Sequence, residues 1–95
     1  MGISGIAATT VGRLLRQLGN KCQVLCVTHL PQVASHGHQH FNVQKYVKDN
    51  QTETQMSLLS ERERVNALAR LLGGSKITDA VLANAQEMLD LAKIE

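Results

Sequence analysis

Apolar residues recur at helical spacing between residues 6 and 18. Val11, Leu14, Leu15 and Leu18 form one stripe, with Arg13, Arg16 and Gln17 on the other side, the pattern of an amphipathic helix. Gly12 weakens such a helix by about 1 kcal/mol relative to alanine, and its presence predicts close packing against a neighbour. Gly19-Asn20 reads as the stop, because both residues tolerate the left-handed conformation. Residues 23–28 then hold the uninterrupted run Val24-Leu25-Cys26-Val27. A short continuous run of this kind fits a strand covered on both faces, as in a parallel sheet flanked by helices. Pro31 ends any ladder, and residues 31–35 are compatible with one helical turn.

The second half changes period. Residues 41–47 and 53–58 read as two strands of a hairpin, joined by Lys48-Asp49-Asn50-Gln51-Thr52, whose Asp and Asn have turn chemistry. Thr54, Met56 and Leu58 share one face of the second strand, and Glu53, Gln55 and Ser57 the other. That alternation predicts a half-exposed hairpin at a sheet edge. Ser60-Glu61-Arg62-Glu63 is a capping box, in which the serine side chain takes the N3 amide while the glutamate reaches back. The helix behind it buries Val65, Leu68, Ala69 and Leu72 and stops at Gly73-Gly74. A final helix starts near Ser75 or Thr78 and runs towards Lys93. Ile77, Val81, Ala85, Met88 and Ala92 form its main stripe, flanked by Leu82 and Leu89.

Composition narrows this picture. Phe41 and Tyr46 are the only aromatic residues in the 95, and there is no tryptophan, so the core lacks the large rings on which small domains usually rely. A chain of this size has a modest core in any case, and the shortage predicts a fragment of something larger. The net charge of +2 is too small for the clustered basic surface that nucleic-acid binding requires. Arg13, Arg16, Lys21, Arg62, Arg64 and Arg70 are therefore read as solvated charges. Cys22 and Cys26, four apart near an extended run, are too distant to bridge there and are expected as buried, reduced thiols. No apolar run approaches the ~18 residues of a membrane span, and no signal-peptide pattern is present. These features predict a soluble, intracellular α/β chain.

The candidate chemistry centres on His29. It stands at the C-terminal end of the predicted strand, where open α/β sheets bind their ligands, and its ring can donate to a phosphate oxygen or a catalytic water. Gly2-Ile3-Ser4-Gly5 could present backbone amides to an anion at a helix start. The histidines of His36-x-His38-x-His40 would project to one face of an extended segment and could hold a metal. They have no acidic or thiol ligand nearby in sequence, and their spacing matches none of the common structural zinc sites; a solvated polar loop is the simpler reading. The sequence contains no Gly-x-x-x-x-Gly-Lys-Ser/Thr phosphate loop, which a nucleotide triphosphatase of this sheet type needs. It has no paired carboxylates at a strand end to hold magnesium and no evident nucleophile elbow.

Three segments together carry a resemblance: Gly2-Ile3-Ser4-Gly5, the stretch Gln23-Val24-Leu25-Cys26-Val27-Thr28-His29-Leu30-Pro31-Gln32-Val33-Ala34, and Leu68-Ala69-Arg70-Leu71-Leu72-Gly73-Gly74. Over essentially all its positions the chain resembles the C-terminal end of the RecN family of bacterial DNA repair ATPases, relatives of the structural-maintenance-of-chromosomes proteins. The resemblance implies an α/β fragment of an ABC/SMC-type P-loop ATPase head lobe, a buried strand plus an edge β-hairpin packed with about three helices. It implies a single lobe over 1–95, with a D-loop at 1–5, a helix, strand and switch segment at 6–35, the hairpin at 41–58 and two C-terminal helices at 60–93.

By the same resemblance Gly2, Ile3, Ser4 and Gly5 form the D-loop that crosses the dimer interface of such heads. Thr28 belongs to the nucleotide site, and His29 is the switch histidine that senses the terminal phosphate. The family's phosphate loop, signature motif, coiled coil and Walker B acids would lie before Met1, which stands where the family continues a Walker B strand. The implied cofactors are ATP and Mg2+ in the full-length protein and none for this segment, which alone is expected to be inactive. The implied partners are a second head in a homodimer and DNA, with no direct DNA contact from the residues here and no membrane. The implied location is cytoplasmic and nucleoid-associated, in recombinational repair of double-strand breaks. Two other readings stay open: a metal-binding module on the histidine loop, and a non-catalytic interaction module using the exposed hairpin edge.

Overall fold

A computed structural model describes residues 5–94. The chain is mixed α/β: helices α1 (Gly5–Gly19) and α2 (Pro31–Ala34), strands β1 (Phe41–Lys48) and β2 (Gln51–Leu58), then helices α3 (Glu61–Gly73) and α4 (Asp79–Lys93). Gly2, Ile3 and Ser4 lie outside the described residues; Gly5 is the first residue of α1.

The core lies between α3 and α4. Leu68, Ala69, Ala85 and Leu89 are fully buried there, with Ala34, Val65, Leu72, Val81 and Leu82 packed around them. Small residues on both helices let the backbones approach: a Cβ added at Gly73 would stand 3.2 Å from Val81 Cγ1. Both helices begin as their sequences require. Ser60 Oγ accepts from the Glu63 amide at 3.2 Å while Glu63 Oε1 accepts from the Ser60 amide at 2.9 Å, and Thr78 Oγ1 accepts from the Val81 amide. Gly74 closes α3 at φ 66, donating to Arg70 O, a conformation that costs glycine nothing. The buried stripe of α4 runs through Leu82, Ala85, Leu89 and Ala92, whereas Ile77 is exposed.

From this core the chain is built outwards in a row, α2 against α3 and α1 against α2. The buried residues of α1 are Ala8 and Gly12; its predicted apolar stripe points elsewhere, with Val11, Leu14 and Leu18 exposed. Gly12 is where the helices touch, since a Cβ there would stand 2.7 Å from both Gln32 O and His36 Nδ1. The helix does not end in a left-handed Gly19 or Asn20. Asn20 N donates to Gln17 O and Lys21 N to Leu18 O, so the last turn tightens to i→i+3 bonds instead.

Two expectations fail for one physical reason. The run 24–27 is not a strand: residues 23–30 have no regular secondary structure, with Leu25 81% and Val27 95% exposed. Cys22 and Cys26 are consequently exposed rather than buried. A buried strand needs neighbours on both edges and helices on both faces, and the sheet among the described residues has only β1 and β2. The hairpin forms as expected, with Phe41 opposite Leu58 and Val43 opposite Met56, but its strands run on until Lys48 pairs with Gln51, so the connection shortens from residues 48–52 to two residues. Its two-residue turn, Asp49-Asn50, has φ 53 and φ 63, the double left-handed geometry that suits a right-twisted hairpin. It is exposed on both faces rather than one. Its apolar face, with Val43, Val47, Met56 and Leu58, is uncovered.

Candidate functional site around His29

His29 is exposed near the end of the irregular segment that leads into α2. Thr28 makes the bend that presents it: Thr28 Oγ1 accepts from the Leu30 amide at 3.0 Å, a local turn typical of Thr. Pro31 then starts α2 with its preset φ, where a missing N–H is harmless. His29 is thus separated by a single residue from a short helix that is held far more firmly than its four residues would suggest.

The anchoring is clear from the carbonyls of this segment. A helix this short leaves its terminal carbonyls without internal partners, yet every carbonyl from Leu30 to Gly37 has a donor. Leu30 O, Pro31 O and Val33 O accept from backbone amides within the turn. Gln32 O accepts from Ser35 Oγ and, at 2.7 Å, from His36 Nδ1; a carbonyl only accepts, so Nδ1 carries the proton. Arg64 Nη2 donates to Ala34 O at 3.2 Å, to Ser35 O at 3.3 Å and to Gly37 O. Arg16 Nη1 donates to His36 O at 2.9 Å and more weakly to Gly37 O.

Arg64 is the unexpected member. It is 4% exposed, against the expectation of a solvated charge, and Arg16 is half-buried. Burial lowers the affinity of the Arg64 guanidinium for its proton; nearby Glu61 opposes this and Arg16 adds to it. A guanidinium still stays charged under such pressure. Backbone carbonyls take up Arg64 Nη2 in place of a carboxylate, while its Nε is buried without a hydrogen-bond partner among the described residues. Its position was legible in retrospect: Arg64 precedes Leu68 by one helical turn, at the edge of the α3 stripe.

The histidine cluster does not converge. His36 is buried against Gln32 and Ser35, correcting its reading as part of a solvated loop. His38 Nε2 reaches Asn20 Oδ1 at 2.9 Å. His40 Nδ1 is buried without a hydrogen-bond partner, and burial together with the charge of Arg64 lowers its basicity. Among the described residues no group of three or more His, Cys, Asp or Glu is placed to hold a metal, and no helix is long and apolar enough to cross a membrane.

No family model matches the chain. Individual relatives do. It is 70% identical over 91 residues to the DNA repair protein RecN of Haemophilus influenzae, 58% identical over 89 residues to that of Vibrio cholerae, and 36% identical over 91 residues to that of Bacillus subtilis. Each match covers 94–96% of this chain but 16% of the relative. The similarity takes in the anchored segment, its neighbours and the core together, and the chain spans about one-sixth of the length of these RecN proteins.

Proposed function

We propose that this chain forms the C-terminal part of the ATPase head of a RecN-like protein that acts in recombinational repair of DNA double-strand breaks. The observation that carries the reading is His29: an exposed imidazole set at the end of an irregular segment and backed by α2, whose carbonyls are all held in place. The RecN names of its relatives support the repair role.

In the full-length protein ATP and Mg2+ would be bound largely by residues outside these 95. The ring of His29 donates a hydrogen bond to the terminal phosphate as charge builds on its oxygens, where a fixed donor is most effective. Thr28 keeps its O–H free to donate, since its oxygen serves the turn as an acceptor. The D-loop, Gly2, Ile3, Ser4 and Gly5, leads into α1, which lies against the His29 segment through Gly12. That contact gives the second head of a homodimer a route to the same site. DNA is engaged elsewhere in the full-length protein, in the cytoplasm at the nucleoid. This segment alone, without a phosphate loop, turns over no ATP.

The test is His29→Ala in the full-length protein. Loss of a positioned donor of this kind costs roughly a hundredfold in kcat. Because His29 is exposed, the unfolding midpoint should stay where it is. Unchanged ATP turnover would overturn the assignment.

A further inference from the structure

We propose that Arg64 is a positioning residue that sets where His29 sits, acting from α3 through the backbone of α2. The functional half of this inference rests on the reading of His29 given above; the mechanical half does not.

The geometry is a clamp. Arg64 Nη2 lies within hydrogen-bond reach of three carbonyls, those of Ala34, Ser35 and Gly37, on a segment that begins two residues after His29. Arg64 is itself almost fully buried and rises from α3, one turn before the core residue Leu68. The guanidinium therefore ties the C-terminal end of a four-residue helix to the buried core of the molecule. Arg16 completes the hold from the other side, through His36 O and Gly37 O. Buried carbonyls need donors, and no other donor reaches Ser35 O among the described residues. Removing Arg64 would leave that carbonyl orphaned and free the segment to shift. A displacement of about 1 Å at a reacting group can cost on the order of a hundredfold in rate.

The experiment uses the full-length protein with Arg64→Met, Arg64→Lys and His29→Ala. Two quantities are read: hydrogen exchange at the amides of residues 33–37, with residues 85–92 of α4 as the internal reference, and kcat and KM for ATP. With Arg64→Met, exchange in 33–37 should rise about tenfold or more while α4 stays protected, the signature of local rather than global opening. In the same variant kcat should fall about tenfold or more with KM within about twofold. Arg64→Lys, which keeps a charge and a donor but loses the planar fork, should recover part of both.

Unchanged exchange in 33–37, or equal loosening of α4, would overturn the clamp. Local loosening with kcat intact would overturn its role in turnover. If His29→Ala itself leaves turnover intact, the reading of His29 fails, while the exchange data still decide whether Arg64 holds the segment.

Discussion

At the scale of single residues, two glycines of α1 separate close packing from mere proximity. Gly12 faces the backbone of Gln32, and an added Cβ would stand 2.7 Å from its oxygen. Gly12→Ala gains about 1 kcal/mol of helix propensity, but overpacking a fixed contact costs about 1–3 kcal/mol. The backbone cannot step aside as a side chain can, so the clash wins. Gly12→Ala should lower the unfolding midpoint in a thermal melt. Gly19 presents the opposite case. Its Cβ would meet only the His38 ring, at 3.1 Å, and this exposed ring, held by Asn20 Oδ1, need give by no more than a few tenths of an ångström. Gly19→Ala should leave the midpoint unchanged or raised, and equal losses from both substitutions would contradict this account of the α1–α2 contact.

At the scale of elements, α3 carries its own start signal. The Ser60–Glu63 box was legible in the sequence and forms as expected. Ser60→Ala should cost about 1 kcal/mol, as caps of this type do. The other half of the box is sensitive to acid. The Ser60 backbone amide, and then its hydroxyl, hold the Glu63 carboxyl below the usual glutamate range. A carboxylate with a depressed native pKa adds stability at pH above its unfolded value, and that contribution is lost as pH falls through the native value. The gap in stability between the wild type and Glu63→Gln should therefore be present at neutral pH and close in acid, as followed by denaturant titrations at several pH values. A gap independent of pH would remove the charged form of Glu63 from the explanation. The hairpin shows the limit of signals of this kind. Its register and turn follow from local chemistry, but nothing local dictates what covers its apolar face.

At the scale of the molecule, the chain is more open than its mass warrants. Its accessible surface is 7080 Å², against roughly 5,400 Å² for a compact monomer of 10.4 kDa. Its radius of gyration is 14.5 Å, against about 12 Å for a compact domain of this length. The excess exceeds the ~800 Å² that one partner contributes to a typical stable interface, and the uncovered surface includes Leu25, Val27 and the apolar hairpin face. In isolation the 95-residue chain should therefore self-associate, through the unpaired segment 23–28 or the hairpin. Light scattering should report a dimer or larger species, and Val27→Lys should shift it towards monomer. A monodisperse wild-type monomer would count against this.

What the sequence by itself determined is what short-range chemistry controls. The caps of α3 and α4 at Ser60 and Thr78, the Asp49-Asn50 turn and the terminal Gly74 each depend on neighbours a few residues away, and they form where the pattern placed them, whereas the buried face and the stop of α1 do not. The bend at His29 is also built from short-range chemistry, through Thr28 Oγ1 and Pro31, although the sequence pattern reads Thr28 as the end of a strand. The tertiary structure decided everything that depends on a distant partner. The apolar run 24–27 has the composition of a strand, yet a strand exists only when another chain segment pairs with it, and none of the described residues does. Arg64 has the composition of a surface charge, yet carbonyls 27–30 residues away draw it inside. Local pattern states what a segment can do; a hydrogen bond to a buried backbone, or its absence, depends on where the rest of the chain has gone.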